Sequence, residues 1–264
     1  MSRQDLSYKS RPWRLLELNG GQVTGAAVWR FVLPAGVAGY ADAQIDDYGV
    51  GRRGRRFYPW RRGTRMALAA RFSQPQGTLL GTAGFGFWNA PFADPTIRWP
   101  ALPQAVWFFY ASAPTDLPLA VSGAGRGWFA ATLDATTPTA VSLLPLAPLL
   151  LLLNQSQRLQ QRIWPWLRLR LGISFQPLEV EMTAWHTYAL DWLPDGCRFY
   201  VDEALVLQTT HSPRGPLGFV CWLDNQYLVA TVNGRSPHGR LQWGTLPIPS
   251  TQVMEVRDLT LTHR

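Results

Sequence analysis

The sequence is poor in cysteine and lysine, and one long stretch of it lacks acidic residues. Its two cysteines, Cys197 and Cys221, are too few for a disulfide framework, and their apolar-patterned positions predict buried free thiols. Lys9 is the only lysine, so arginine carries the net charge of +8. No aspartate or glutamate stands between Asp94 and Asp116. Because the histidines and cysteines lack metal-ligand spacing, we predict neither a metal site nor a cofactor.

The chain also lacks a recognisable secretory signal and a membrane-spanning run. Its opening residues, MSRQDLSYKSRPWRLLELNGG, contain no continuous apolar stretch, so we expect a cytoplasmic protein. The apolar run 149–153 is too short to cross a bilayer, and Pro145 and Pro148 interrupt the residues before it. Association with a membrane surface is compatible with both observations.

Glycine and proline are frequent, with 23 and 21 copies, and they separate many short apolar runs. This punctuation is typical of an all-β sandwich. The clearest run is Trp185–Val206, WHTYALDWLPDGCRFYVDEALV, in which apolar and polar residues alternate on both sides of Pro194-Asp195-Gly196. Alternation with period two marks half-buried strands, and the Pro-Asp-Gly segment has turn chemistry. We therefore predict a β-hairpin here.

Further strands are predicted at 25–33, 40–48 and 64–73, and a last strand runs over Met254–Thr262 with a slip near Asp258. The stretch 81–89, GTAGFGFWN, is a glycine-rich aromatic strand, in which the glycines indicate a bend or the close approach of another group. The stretch 105–113, AVWFFYASA, is apolar throughout and is predicted to be buried on both faces. The stretch 217–229, LGFVCWLDNQYLV, is predicted as one strand with polar residues in its middle.

The segment 141–171 breaks this rhythm and predicts a helical insertion. Pro148 fits the first turn of a helix that runs to about Trp164, where Pro165 ends it. Arg158 and Arg162 stand among apolar residues in its second half. Three roles are open: extra core packed on the sandwich, a lid over a lipophilic cleft, or an anchor that lies in a membrane surface.

The ordered motifs resemble those of the family-16 glycoside hydrolases, which are concanavalin A-like proteins. The hairpin is similar to the family signature W-H-x-Y-x-x-x-W-x-P-D-x-x-x-F-Y-V-D, and the last strand is similar to M-x-V-D-x-V-x-V. The resemblance implies an all-β fold, a concanavalin A-like β-sandwich or jelly roll. Residues 1–264 would form a single domain, with one helical insertion around 147–165.

The resemblance fails at the catalytic strand. In the family this strand carries E-x-D-x-x-E or E-x-D-x-E, and retaining hydrolysis needs two carboxyl groups about 5–5.5 Å apart. Here the strand is AVWFFYASA, which puts Ala105, Trp107 and Tyr110 where the acids belong. Standard family-16 hydrolysis is therefore not expected. We expect a cleft floor that is apolar at its centre and has no facing pair of acids.

An apolar cleft with a few polar groups favours flat or lipophilic ligands, and aromatic faces stack on sugar rings and on isoprenoid carbons alike. The predicted ligand-binding residues are Trp88, Asn89, Trp107, Phe109, Tyr110, Trp185, His186, Trp222, Asn225 and Tyr227.

Asp224 and Asp47 are the candidate catalytic acids. An aspartate in an apolar pocket has a raised pKa and can donate or shuttle a proton. Adjacent residues of a strand point to opposite faces, so at most one of Asp46 and Asp47 faces the cleft. The alternatives are that Asp224 caps a turn or pairs with an arginine, and that His186 is structural.

Seven arginines lie between Arg52 and Arg65. Such a cluster can hold phosphates or lie on an anionic lipid surface, and a solvated loop is the alternative. We therefore predict peripheral membrane contact through this cluster and residues 147–164. Nucleic-acid binding is not expected, because no helix-turn-helix, zinc or RNA-binding signature accompanies the charge.

Two functional hypotheses follow, and the sequence leaves open whether the protein is an enzyme. The first is a protein that holds a lipophilic or glycosylated small molecule in an aromatic cleft and supports an acid-assisted rearrangement, cyclisation or isomerisation. The alternative is a carbohydrate-binding, lectin-like protein, or a glycoside hydrolase with relocated carboxylates.

Overall fold

A computed structural model describes residues 13–25, 27–47, 49–50, 56–91, 101–120, 124–153, 156–230 and 242–263. In these residues the main architecture is two antiparallel sheets of seven strands each, which face one another across a common core. This confirms the predicted all-β sandwich.

Sheet A has the strand order β1 (Arg14–Leu18), β4 (Asp42–Asp46), β15 (Gly218–Asp224), β8 (Thr82–Trp88), β9 (Gln104–Ala111), β10 (Gly127–Asp134) and β11 (Ser174–Pro177). Sheet B has the order β14 (Ala204–Thr209), β13 (Gly196–Val201), β12 (His186–Leu193), β7 (Thr64–Phe72), β18 (Gln252–His263), β3 (Val28–Leu33) and β2 (Gln22–Thr24). Two short ladders join β5 (Gly49–Val50) to β6 (Arg56–Phe57) and β16 (Gln226–Val229) to β17 (Gln242–Thr245).

The core forms because alternate residues of each strand point between the sheets. Tyr188 and Trp192 of β12 are almost completely buried there, as the alternation of the predicted hairpin requires. Phe85 and Phe108 of sheet A pack against Tyr188, with ring centroids 5.0 and 5.1 Å from its own, and the Phe87 ring lies 5.6 Å from that of Trp192. The hairpin itself is confirmed by the antiparallel pairing of β12 with β13.

Both cysteines are free and buried, as predicted. Burial raises the pKa of the Cys197 and Cys221 thiols, which keeps them protonated. The strand β9 is buried on both faces, which is also confirmed.

Two strands predicted from the sequence are irregular in the structure. The slip near Asp258 is confirmed as a register shift between Arg257 and Thr260 of β18, where Asp258 has a φ of 55°. The prediction of one strand over 217–229 is wrong, because the chain divides at Asn225 into β15 and β16. The Asn225 side chain accepts a hydrogen bond from Ala41 N at 2.9 Å, and it donates bonds of 2.9 Å to Gly39 O and to Leu246 O.

The insertion between β10 and β11 is helical, as predicted, but its helices are not the predicted one. They are α1 (Pro138–Val141), a 3₁₀ turn (Leu144–Leu146), α2 (Ala147–Leu153) and α3 (Gln157–Arg170). Pro165 lies inside α3 and does not end it. Contacts on both sides outweigh the hydrogen bond lost at the proline: the Trp164 indole donates to Pro118 O at 3.0 Å, and Leu167 is buried. No helix among the described residues has the length and apolar character needed to cross a membrane.

Part of the predicted basic cluster, Arg52, Arg53 and Arg55, lies outside the described residues, as does His238. Two of its described members are engaged in structural contacts. Arg62 donates to the carbonyl oxygens of Ser212 and Pro213. Arg65 pairs with Asp191 at 2.8 Å.

Candidate functional site

The face of sheet A that is turned away from sheet B carries most of the predicted aromatic residues. Trp107 and Phe109 of β9 alternate with Phe108 and Tyr110, which belong to the inter-sheet core. Neighbouring strands contribute further rings to the same face. We call this face the aromatic floor, defined by Trp88, Trp107, Phe109, Phe129, Phe175 and Trp222.

The rings of the aromatic floor form a continuous series across five strands. The Trp107 ring centroid lies 5.3 Å from that of Trp88, 5.0 Å from that of Phe109 and 5.9 Å from that of Trp222. The series continues from Phe109 to Phe129 at 5.4 Å and ends with Phe175 at 4.6 Å from Phe129. Tilted pairs at these distances are the favoured arrangement of aromatic rings, so the floor is well packed.

Two strand glycines make room for this packing. A Cβ atom on Gly84 would lie 2.7 Å from the Trp222 ring and 2.4 Å from Phe108 O. A Cβ atom on Gly86 would lie 2.7 Å from the Cβ of Trp107. The prediction that these glycines mark a close approach is confirmed, and the approaching groups are the tryptophans of the two flanking strands and the backbone of β9.

Two indole N–H groups in the aromatic floor are buried without a hydrogen-bond partner among the described residues. They belong to Trp88 and Trp107. The third indole behaves differently, since Trp222 Nε1 donates to Thr82 Oγ1 at 2.9 Å. Leaving a buried donor unpaired costs about 1–3 kcal/mol, so these two groups are the most unusual polar feature of the floor.

The end of the insertion covers part of the aromatic floor. Ile173, just after α3, is buried in the same apolar cluster, together with Leu119 from the segment before β10. The hydrogen bond from Trp164 to Pro118 O ties these two covering segments together. The insertion therefore borders the floor, as both the core and the lid hypotheses require.

A pair of acids lies at one end of the same face. Asp42 of β4 and Asp224 of β15 are direct cross-strand partners and are 2% and 7% exposed. Asp224 Oδ1 accepts hydrogen bonds from Thr82 Oγ1 at 2.7 Å, Thr82 N at 3.2 Å and Gln226 N at 3.0 Å. Because Thr82 Oγ1 also accepts from Trp222, a hydrogen-bond chain joins this acid pair to the aromatic floor.

Burial controls the protonation of the acid pair. It raises the pKa of Asp224 to about 6, against the hydrogen bonds from Thr82 and Gln226. Burial and the charge of Asp224 raise the pKa of Asp42 well above its ordinary value, although the Tyr40 hydroxyl donates to Asp42 Oδ2 at 3.0 Å. Asp42 Oδ1 has no partner in the described part of the chain. Burial therefore favours the protonated form of both carboxyls over the charged form.

The expectation of a floor without facing acids is therefore wrong at this end, although the floor is apolar over β8 to β10. Asp42 was missed because the sequence gives no sign that β4 pairs with β15, whose partner residues lie 174–182 positions later in the chain. The alternation within β4 does carry a signal for Asp42. It puts Asp42 and Asp46 on one face of the strand and the core residues Ala43 and Ile45 on the other.

Several predicted site residues lie elsewhere. The assignment of Tyr110 to the cleft is wrong, because β9 runs without a bulge and turns this residue into the core, where its hydroxyl donates to Leu79 O at 2.9 Å. His186 begins β12 of sheet B and Trp185 directly precedes it, so neither residue joins the floor. The Trp185 ring lies between the guanidinium groups of Arg71 and Arg257, at 4.9 and 4.3 Å.

His186 is held by a hydrogen bond of 2.5 Å between Nδ1 and Asp202 Oδ2, which agrees with the structural alternative. Asn89 follows β8 and bonds to Leu102 O at 2.9 Å and Gln104 N at 3.0 Å. Tyr227 lies on β16 against Gly244. Asn225 is occupied by the backbone contacts given above.

Asp47 does not join Asp224. Its carboxylate accepts from Phe219 N at 2.8 Å and from the Trp60 indole, a member of the inter-sheet core. Asp46 is the member of that acidic pair on the same face as Asp224, and it is bound by Arg14 at 2.8 Å. The structure thus brings together Trp88, Trp107, Phe109, Trp222 and Asp224 from the predicted set, and adds Asp42.

No protein-family model matches the sequence, and no curated protein matches it. Solved structures similar to the chain include a GlcNAcα1-4Gal-releasing endo-β-galactosidase from Clostridium perfringens, with 11% identity and a TM-score of 0.49. The alignment covers 94% of this chain and 58% of the galactosidase chain, so this protein spans less than two thirds of it.

A β-glucanase from Bacillus licheniformis is 9% identical over 100% of both chains, with a TM-score of 0.49. The carbohydrate recognition domain of Emp47p is 12% identical over 98% of this chain and 93% of its own, with a TM-score of 0.45. The sandwich fold is established by the two sheets described above, and TM-scores below 0.5 add nothing to it. At these identities the similarity assigns no activity.

Proposed function

We propose that the aromatic floor binds a small molecule that has an apolar face and at least one hydrogen-bond acceptor. The observation that carries this proposal is the pair of buried, unpartnered indole N–H groups of Trp88 and Trp107 within an otherwise apolar ring cluster. An acceptor oxygen on a ligand would satisfy these donors, and the apolar body of the ligand would pack on the rings.

A lipophilic ligand fits this face better than a glycan. The floor consists of aromatic and aliphatic side chains, and its two neighbouring polar groups, Thr82 and Asp224, are already hydrogen-bonded to each other. A sugar ring brings many hydroxyl groups, each of which needs a partner when it leaves water. An isoprenoid or polyketide carrying one oxygen needs only the donors that the floor offers.

Tryptophan fluorescence titrations test this proposal with geranylgeraniol in one arm and laminari-oligosaccharides in the other. We expect saturable quenching by geranylgeraniol only. Trp107→Phe keeps the ring and removes the N–H, so it should weaken binding by about tenfold, which is the effect of losing one buried hydrogen bond. The matched control is Trp185→Phe on sheet B, which should bind as the wild type does. Saturable binding of the oligosaccharide at micromolar concentration would overturn the lipophilic assignment.

The acid pair supports a second candidate, a glycoside hydrolase with relocated carboxylates. Side chains that face one another across an antiparallel pair have Cβ atoms about 4.5–5.5 Å apart, so Asp42 and Asp224 have the proximity that a retaining mechanism requires. Their unequal environments suit one acid and one base. Under this candidate, Asp224→Asn removes turnover of a β-glucan and leaves the fold intact. Equal turnover by the wild type and this variant would exclude the pair from the chemistry.

We propose further that the helical insertion docks on an anionic lipid surface. Large apolar side chains project into solvent from it, with Leu152 and Leu169 65% and 69% exposed. The exposed set is Val141, Leu144, Leu146, Leu149, Leu152, Leu159, Trp166 and Leu169. Residues 135–178 contain four arginines and no acidic residue, so the charge of the segment complements anionic headgroups. Exposed leucine and tryptophan beside arginine are typical of segments that lie in a membrane interface.

Co-sedimentation with vesicles tests the docking surface. We expect binding to vesicles that contain phosphatidylserine and much weaker binding to pure phosphatidylcholine. The double variant Leu149→Gln, Leu152→Gln should lose this binding. The control, Leu205→Gln, alters an equally exposed leucine on the edge strand β14. Equal sedimentation of all three proteins would contradict docking through the insertion.

A further inference from the structure

Near the end of α3, Arg168 is buried and forms no ion pair with any residue that the structure describes. It is 7% exposed, and its Nε has no hydrogen-bond partner among the described residues. Burial lowers the pKa of its guanidinium, and no charged group of the described chain opposes that effect. A guanidinium removed from water is destabilising unless an anion compensates it, so the position calls for a negatively charged partner.

Three polar side chains meet near the end of α3, where the edge strands of the two sheets approach each other. The backbone N–H of Ile173, the residue before Ser174, donates to Arg168 O at 2.9 Å, which places Arg168 next to this group. Ser174 belongs to β11 of sheet A, and Thr209 ends β14 of sheet B. Ser174 Oγ lies 2.7 Å from Thr209 Oγ1 and 3.0 Å from His211 Nδ1. The backbone N–H of His211 donates to Thr209 Oγ1 at 3.0 Å. The group lies on the opposite side of β11 from Phe175, and is therefore separate from the aromatic floor.

The hydrogen bonds of this group determine the tautomer of His211. Both hydroxyl protons are used if Thr209 donates to Ser174 and Ser174 donates to Nδ1 of the histidine. The reverse direction would leave the Thr209 hydroxyl proton without an acceptor in the group. In the favoured arrangement the proton of the neutral imidazole is on Nε2, which has no partner among the described residues and remains a free donor.

The charge of Arg168 acts on the same histidine. Burial lowers the pKa of His211, the positive charge of Arg168 lowers it further, and Asp134 acts in the opposite direction. No ion pair joins Asp134 to Arg168 in the described part of the chain, and Asp134 Oδ1 instead accepts from Thr136 N and Oγ1 at 2.9 and 2.6 Å. The group therefore combines one uncompensated cation, one free imidazole N–H and two hydroxyls.

We propose that Arg168 and His211 form a binding site for a phosphate-type oxyanion. The guanidinium fork pairs with two oxygens of such a group, and the imidazole N–H donates to a third. Ser174 and Thr209 hold the imidazole in the tautomer that donates. Free phosphate and the phosphate of a lipid headgroup share this chemistry. Since Arg168 is on the helix that carries the exposed leucines, either source can reach it.

Isothermal titration calorimetry with inorganic phosphate, at constant ionic strength set by sodium chloride, tests the site. We expect saturable binding by the full chain. Arg168→Met should weaken it by about tenfold or more, because a charge-assisted hydrogen bond is lost. Arg158→Met removes the same charge from an exposed position of the same helix and should leave binding unchanged. Absence of saturable heat with the wild type, or equal weakening by both variants, would overturn the proposal.

His211→Gln is a second variant that tests the site even if Arg168→Met fails to fold. It removes the imidazole N–H and leaves the arginine in place, so we expect binding weakened several-fold in a protein with a native far-UV spectrum. Unchanged affinity in this variant would remove His211 from the site and overturn the assignment.

Vesicles distinguish the two sources of the oxyanion. If the ligand is a headgroup, Arg168→Met reduces binding to vesicles that contain phosphatidic acid, and inorganic phosphate competes with the wild type there. If the ligand is free phosphate, vesicle binding is the same in wild type and Arg168→Met, whereas calorimetry still separates them. Failure of the lipid-docking surface is distinguishable, because Leu149→Gln, Leu152→Gln leaves calorimetric binding of phosphate intact.

Discussion

At the scale of single residues, the aromatic floor depends on which residues lie opposite each other on neighbouring strands. Trp222 has its place because Gly84 has no side chain, and Trp107 lies against Gly86 in a similar way. A tryptophan on this face therefore requires a glycine opposite to it. The glycine-rich stretch 81–89 shows this requirement in the sequence before the partner ring is known.

Gly84→Ala tests this dependence. The new Cβ would lie 2.4 Å from a backbone oxygen and 2.7 Å from the Trp222 ring, so strand or ring must shift. We expect a loss of about 1–3 kcal/mol in the free energy of unfolding, as for other overpacked sites. Thermal denaturation followed by near-UV circular dichroism measures it, and an unchanged melting temperature would contradict the close packing.

The acid pair predicts a pH dependence of stability. The pKa of Asp224 is raised to about 6 in the folded chain, above the value of about 3.9 for an unfolded aspartate. A raised pKa means that the folded state binds the proton more tightly, so the stabilisation is present below pH 4 and is lost as the pH rises through 6. Asp42, whose pKa is also raised, acts in the same direction.

Asp224→Asn should flatten this profile. The amide oxygen can still accept from Thr82 and Gln226, and the titrating group is gone. Between pH 4 and pH 7 we expect the wild type to lose on the order of 1–3 kcal/mol more than the variant in urea denaturation. Asp195→Asn, a change in an exposed turn, serves as control. Parallel profiles for the wild type and Asp224→Asn would contradict a raised pKa at this carboxyl.

At the scale of elements, period-two alternation predicted the hairpin and the buried strand β9 well, since each strand reports its own burial. It was harder to predict which residues lie on which face of β9, because a shift of one residue along the strand exchanges the two faces. That is why both Phe109 and Tyr110 were placed in the cleft, although only Phe109 lies on the floor. The predicted end of the helix at Pro165 was wrong for another reason. Pro165 is tolerated inside α3 only because distant segments hold Trp164 and Leu167.

The turn between β13 and β14 offers a test at this scale. Asp202 and Glu203 both have positive φ, at 47° and 67°, which is the geometry of a tight hairpin turn and favours glycine at the second position. Asp202 is left unsubstituted in this test, because it accepts hydrogen bonds from His186 and from Thr187 N.

Glu203→Gly should therefore stabilise the hairpin by about 1 kcal/mol, because it relieves the left-handed strain of a residue with a side chain. Glu203→Ala is the control, since it removes the same carboxylate and keeps the strain. Chemical denaturation of the three proteins should rank glycine above glutamate and alanine. A glycine variant no more stable than the alanine variant would be inconsistent with strain at this turn.

At the scale of the whole molecule, the sequence predicted the sandwich but not which strands are neighbours. Asp42 and Asp224 meet only because β4 and β15 pair, and Ser174 meets His211 only because the edges of the two sheets come together. Such long-range contacts leave no local pattern in a single sequence. The aromatic half of the site was predictable because its rings recur on consecutive strands. The acid pair and the oxyanion site were not.

The protein as a whole thus uses sheet A twice, with one face in the inter-sheet core and the other as the aromatic floor. Where the core aromatics are enclosed by sheet B, the floor is covered only in part by the end of the insertion among the described residues. The floor is the face on which we propose that a ligand binds.

The most direct test of ligand binding at the aromatic floor is a ¹H–¹⁵N spectrum of the indole N–H groups, recorded with increasing geranylgeraniol. We predict that the signals of Trp88 and Trp107, assigned through their phenylalanine variants, move downfield and saturate together as each N–H gains an acceptor. The signal of Trp192, whose N–H already donates to Pro213 O at 2.9 Å, should stay in place. If the signals of Trp88 and Trp107 do not move at saturating ligand, the aromatic floor is not the binding site.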